Sequence, residues 1–238
     1  MRAIRYALFA CMSWVTVSVY SLLVMLGRIF GPRVSLYFGH QWAILTLWLC
    51  EKICGLSYRV EGTENIPDEP CVVFIKHSSV FETLAQLAIF PAQCWVLKRE
   101  LLWLPFFGWG MKALRPIAIN RQSGRAAVEQ VIEQGRERFE AGLFVCIFPE
   151  GTRMAVGETR RYGMSGTILA QKNGKLILPA AHNAGTFWPR KRFGIDPGEV
   201  QFVIGKPLDP AGRDPREMNA EIQDWVEARV AEFDSNSG

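Results

Sequence analysis

The sequence contains no C-x-x-C pair, no G-x-x-x-x-G-K-[ST] loop, no G-x-S-x-G elbow and no H-E-x-x-H pair. Those absences argue against a paired-cysteine zinc site, a P-loop phosphate cradle, a hydrolase-type serine nucleophile and a zinc-protease helix. Cys11, Cys50, Cys54, Cys71, Cys94 and Cys146 are scattered, three of them in apolar strand-like runs. The expectation is reduced, mostly buried thiols in a reducing compartment, with no disulfide framework and no metal. Acidic residues are scarce at one end. Residues 1–60 hold a single acid, Glu51, against Arg2, Arg5, Arg28, Arg33, Lys52 and Arg59. Basic residues flanking apolar segments are drawn to anionic lipid headgroups by roughly 1 kcal/mol each. The whole-chain excess of +4 is too small to argue for a nucleic-acid partner. Internal repeats and low-complexity linkers are also missing.

What is present divides into two parts. Residues 7–26 form an uncharged run of 20, long enough to cross the hydrocarbon as a helix. A signal peptide competes with that reading, but the run is long and no small-x-small cleavage site closes it. Residues 34–50 are apolar too, yet include His40 and Gln41 and are rich in interfacial aromatics: Tyr37, Phe38, Trp42 and Trp48. One span with an interfacial helix, two spans, or a hairpin entering one leaflet all fit. Residues 1–56 are therefore read as a membrane-associated helical region and 57–238 as a separate globular domain, large enough for its own core.

In the second part, short apolar runs alternate with helical patterns. Strands are expected over 71–75, 94–97, 117–119, 143–148, 176–181 and 200–204, and helices over 82–90 and 123–140. A last helix begins at Pro215, with Asp214 as cap and Glu217 completing a capping box. This alternation predicts an α/β domain with a mostly parallel central sheet flanked by helices. Gly108-Trp-Gly110-Met-Lys-Ala113 formally fits G-x-G-x-x-A, but it follows no clear strand, which argues against a dinucleotide fold.

Two clusters carry chemistry. His77 and Glu82 follow the first strong strand. Five residues apart on a regular helix they would point about 140° apart. They meet if His77 lies in the loop and Glu82 in the first helical turn. A carboxylate on one ring nitrogen fixes the tautomer and frees the other nitrogen to take a proton. The competing reading is structural: Ser79-Val80-Phe81-Glu82 is itself a capping box. The second cluster, Phe148-Pro149-Glu150-Gly151-Thr152-Arg153, leaves the end of another strand and presents a carboxylate, a hydroxyl and a guanidinium. Lys98 and Arg121 each follow a strand as well. Four strand ends thus deliver His/Glu, Lys, Arg and Glu/Arg, where ligands of open α/β sheets bind, and a phosphate-bearing substrate is expected. Residues 101–107, with Trp109 and Met111, either line an acyl-chain site, dip into lipid or pack in the core.

These blocks resemble the glycerophospholipid acyltransferase family, over roughly residues 57–207. Its H-x4-D block is matched by His77 to Glu82, with glutamate in place of aspartate. Its arginine block is matched by Ile117-Ala118-Ile119-Asn120-Arg121, and its F-P-E-G-T-R block without change at 148–153. Leu176-Ile177-Leu178-Pro179 matches its final apolar run, and Lys98-Arg99-Glu100-Leu101 with Pro105-Phe106-Phe107-Gly108 match a further segment. The resemblance implies a membrane-bound enzyme of phospholipid biosynthesis at the bacterial inner membrane, with its catalytic domain on the cytoplasmic side. It would transfer an acyl group from acyl carrier protein or CoA to the free hydroxyl of lysophosphatidic acid, making phosphatidic acid. His77 would be the base and Glu82 its orienting group. Lys98 and Arg153 would clamp the phosphate with help from Arg121, and Glu150, Gly151 and Thr152 would shape the acceptor site. No metal or tightly bound cofactor is implied. An acyltransferase for another lysolipid, such as a lyso-ornithine lipid, and a non-catalytic lipid-binding protein remain the alternatives. Oligomeric state is not legible.

Overall fold

The computed structural model describes residues 2–120 and 124–235. It opens with α1 (Arg2–Phe30) and α2 (Pro32–Leu49), joined by Gly31 alone. That glycine takes φ 124, a conformation side chains resist, and Pro32 sits where a helix needs no amide hydrogen. The two helices fold back on each other. Ser35 Oγ donates to the Val24 carbonyl at 2.9 Å, and a Cβ on Gly27 would meet Ser35 and Phe38 at 3.2 Å. Among the described residues, α1 is the one helix long and apolar enough to cross a membrane. Its outer face leaves Trp14, Val15, Leu22, Leu26 and Ile29 exposed. A π-helical turn, Cys50–Cys54, ends the pair at Gly55.

Seven strands follow: β1 (Leu56–Glu61), β2 (Val72–Ile75), β3 (Gln93–Lys98), β4 (Ile117–Ile119), β5 (Phe144–Ile147), β6 (Ile177–His182) and β7 (Gly198–Ile204). Their order is β1-β7-β6-β2-β5-β3-β4. All neighbours pair in parallel except β6 with β7, so the mostly parallel sheet expected from the alternation is present. The central strands are buried on both faces, which is why they read as unbroken apolar runs. Val72 and Phe74 enter one core layer with Leu169, Met218 and Ile222; Val73 and Ile75 enter the other with Met111 and Leu114.

Helices cover both faces: α3 (Phe81–Ile89), α4 (Phe107–Ala113), α5 (Arg125–Glu140), α6 (Ser165–Lys172), α7 (Ala184–Phe187) and α8 (Pro215–Ser235). Asp214 caps α8 as expected, accepting the Arg216 and Glu217 amides at 2.8 and 3.1 Å. The expected start of α5 at 123 lies outside the described residues. The strand β1 and the short helices α4, α6 and α7 are additions to the sequence-based expectation. In β1 only Leu56 is buried, so its pattern carries no strong apolar signal. All six cysteines are free, and all but Cys11 are buried.

The arrangement that matters for function is the run β2-β5-β3-β4. These four strands are adjacent and parallel, so their carboxyl ends share one edge of the sheet.

Candidate active site

His77 sits in the loop between β2 and α3. Its Nδ1 lies 2.8 Å from Glu82 Oε1. The same oxygen accepts the Ser78 and Ser79 amides at 3.1 and 2.9 Å. Ser79 Oγ in turn accepts the Phe81 amide at 3.1 Å. One oxygen thus both meets the imidazole and accepts the amides that lead into α3. With Nδ1 donating to a carboxylate, Nε2 is the nitrogen left as an acceptor. The ring lies flat against Phe148, centroids 4.3 Å apart. Phe148 thereby fixes the plane of the imidazole.

The loop is also held from beneath. Glu150 is buried; its Oε2 accepts the His77 amide at 2.7 Å and its Oε1 accepts from Lys76 Nζ at 3.2 Å. Lys76 Nζ reaches Glu227 Oε1 of α8 at 2.6 Å and the Glu158 carbonyl at 3.4 Å. Burial pushes the Glu150 carboxyl up to about 7, against the opposing pull of Lys76 and of the His77 amide. The Lys76 carbonyl accepts from His182 Nε2 at 2.7 Å, while His182 Nδ1 accepts the Ala184 amide at 3.2 Å. Both contacts together require the neutral Nε2–H tautomer, and burial lowers the affinity of this imidazole for a second proton. Neither Glu150 nor His182 faces open space; they brace the loop that carries His77.

Above this floor is a cavity of about 330 Å³, lined among others by His77, Lys98, Phe148, Thr152, Arg153 and Arg190. It brings together three of the four strand ends expected to meet. Lys98, at the end of β3, is half exposed and 3.7 Å from Glu100. Arg153 and Thr152 come from the turn after β5, where Gly151 takes φ 71 and the Met154 amide donates to the His77 carbonyl at 2.7 Å. Glu150 belongs to the same turn but does not line the cavity; it faces the floor. Arg121 lies outside the described residues. Arg160 and Arg161 are exposed.

The apolar segment splits between the expected roles. Leu101, Phe107 and Met111 line the cavity, whereas Trp103, Phe106 and Trp109 are exposed. Phe106 adopts a γ-turn, φ 58 and ψ −66, closed by the Phe107 amide on the Pro105 carbonyl at 2.6 Å. Phe107 and Arg153 also border a second, mainly apolar cavity of about 640 Å³ beneath α1 and α2, with Phe9, Trp42 and Leu84 in its walls. The site as a whole can take a proton from a hydroxyl at His77 Nε2 and hold an anion beside it.

The family model described as Acyltransferase matches residues 57–183, more than half the chain. This chain belongs to the acyltransferase family. It is 42% identical to the 1-acyl-sn-glycerol-3-phosphate acyltransferase of Pseudomonas aeruginosa, over 81% of this chain and 76% of that one. The human 1-acyl-sn-glycerol-3-phosphate acyltransferase beta is 26% identical over 87% of this chain and 74% of its own. The crystal structure of the 1-acyl-sn-glycerophosphate acyltransferase of Thermotoga maritima shares the acyltransferase fold, with TM-score 0.80 over 98% of both chains at 24% identity.

Four residues in or beneath the cavity carry no local sequence signal. Lys76 directly precedes His77, and nothing in its spacing marks a role of its own. His182, Arg190 and Glu227 come from segments 106, 37 and 151 residues away from the partners they bind.

Proposed function

We propose that this acyltransferase moves an acyl group from a thioester of acyl carrier protein or CoA to the sn-2 hydroxyl of 1-acylglycerol-3-phosphate. The observation that carries the reading is His77, held at Nδ1 by Glu82 at 2.8 Å, in a cavity it shares with Lys98 and Arg153. The 42% identical relative that bears this activity in its name supports the choice of acceptor.

In this reading the acceptor phosphate rests against Lys98 and Arg153, with Arg121 assisting. Its hydroxyl gives its proton to His77 Nε2 as its oxygen attacks the thioester carbonyl. Glu82 stabilises the imidazolium that forms. The carbon–sulfur bond then breaks and the departing thiolate takes the proton back from His77. The products are the ester and the free thiol, and His77 ends as it began. Glu150 keeps the loop in register. The apolar cavity beneath α1 and α2 houses an acyl chain. The exposed face of α1 and the basic flanks hold the enzyme at an anionic membrane surface, which is the inner membrane with the active site on its cytoplasmic side.

Purified protein given labelled acyl donors of both kinds and a panel of lysolipids tests the reading. Phosphatidic acid is the expected product. Acylation of a lyso-ornithine lipid with no transfer to 1-acylglycerol-3-phosphate would overturn the choice of acceptor. Strict dependence on one carrier identifies the donor.

A further inference from the structure

Arg190 lies in the segment after α7, outside every block that the sequence singled out. Two observations place its head group. Its Nη1 donates to Thr152 Oγ1 at 3.3 Å and to the Arg153 carbonyl at 3.2 Å. It also lines the cavity shared by His77, Lys98 and Arg153. The stem is anchored independently. Ser79 Oγ donates to the Trp188 carbonyl at 2.7 Å, and Ser79 is one of the residues whose amide holds Glu82. Pro189 then limits the backbone between that anchor and Arg190. One end of the segment is tied to the His77 loop and the other to the turn after β5.

A guanidinium has five N–H donors in a fixed fork. The two contacts use Nη1 alone. Among the described residues no partner takes Nε or Nη2, so one edge of the fork remains available beside Arg153. A phosphate monoester carries about two negative charges and three acceptor oxygens at neutral pH, more than one guanidinium satisfies.

We propose that Arg190 is a further cationic ligand of the acceptor phosphate, and that it sets the preference for phosphate-bearing acceptors. The inference rests on the reading that the acceptor is 1-acylglycerol-3-phosphate. Arg190 works as a pair with Arg153: its Nη1 holds the backbone that presents Arg153, while its free edge meets the same anion.

The test is steady-state kinetics of Arg190→Ala and Arg190→Lys with 1-acylglycerol-3-phosphate, set against 1-acylglycerol, which lacks the phosphate. Arg190 is exposed, so both variants should fold. The alanine variant is expected to raise the KM for the phosphorylated acceptor about 10- to 100-fold, the loss of a charged hydrogen bond. Its kcat should stay within about twofold, because the phosphate is bound alike before and during reaction. The rate on 1-acylglycerol should not change, so the preference falls by the same factor. Lysine should restore part of the KM, keeping charge without the fork. An unchanged KM, or equal losses on both acceptors, would overturn the proposal by reducing Arg190 to a brace or a bystander. Absence of transfer to the phosphorylated acceptor by the unaltered enzyme would instead overturn the functional reading, and this inference with it.

Discussion

The floor and the rim of the cavity are built in opposite ways. On the floor, Lys76 and Glu82 have side chains only 3% and 0% exposed, and each has several partners among the residues around it. On the rim, Lys98 is 50% exposed with one distant carboxylate, and Arg153 has no charged partner among the described residues. Burial makes the floor rigid, because a buried polar group tolerates little departure from its partners. Openness keeps the donors of the rim available to a ligand. Under the proposed function, floor substitutions alter turnover or folding, and rim substitutions alter acceptor binding.

The largest effect is expected at Glu82. Replacing Glu82 by Gln removes the charge that orients His77 and should lower kcat about 10²- to 10⁴-fold with acceptor KM nearly unchanged. Initial rates at saturating substrates, with circular dichroism as a folding check, measure it. A loss confined to KM would break the floor–rim distinction.

Next is Lys76→Met. It leaves two carboxylates, Glu150 and Glu227, without their shared cation and should cost about 3 kcal/mol of stability. For a chain of this size that lowers Tm by about 6–12 °C. Thermal unfolding followed by circular dichroism tests it, and an unchanged Tm would show that the floor is less tightly determined than its bonds indicate.

On the rim, Arg153→Ala should raise acceptor KM about 10- to 100-fold and leave Tm unaltered. Titrating the acceptor at fixed donor concentration measures it. A drop in kcat alone would move Arg153 from the rim to the floor.

The last test concerns pH. Glu150 titrates at about 7 in the folded chain, against 4.5 for the ordinary carboxyl, chiefly because it is buried. Between those values the folded protein holds more protons at this site than the unfolded chain. Its contribution to stability therefore falls as pH rises from about 4.5 to 7, and is constant above and below. Unfolding midpoints of the unaltered protein and of Glu150→Gln, compared across that range, should converge or cross accordingly. Parallel curves would contradict the burial account.

How much of this was legible in the sequence follows from distance along the chain. His77 and Glu82 lie within one loop and one helical turn, and Phe148 to Arg153 form one turn, so spacing alone brought each group together. The strands β2 and β5 were legible because every position is apolar and buried, and β3 because its central residues 94–97 are. Their adjacency, which sets Lys98 beside Arg153, follows from parallel pairing and not from any local pattern. Arg190 and Glu227 reach the site from later segments whose own periodicity speaks only of turns and a helix stripe. Residues 101–111 were ambiguous for a different reason. Cavity wall and exposed surface use the same apolar side chains there, and only packing separates Phe107 from Trp103.

The N-terminal pair extends the contrast. There the apolar face points outward and the polar groups are few, the reverse of the floor. That inversion suits an interface with lipid, as the proposed function requires.

The most direct measurement is the transfer of labelled acyl groups to 1-acylglycerol-3-phosphate by purified His77→Ala, run beside the unaltered protein on the same vesicles. The account predicts vesicle binding and folding equal to those of the unaltered protein, with product formation lost by at least about 10²-fold. Acyl transfer at a near-normal rate without this imidazole would contradict it.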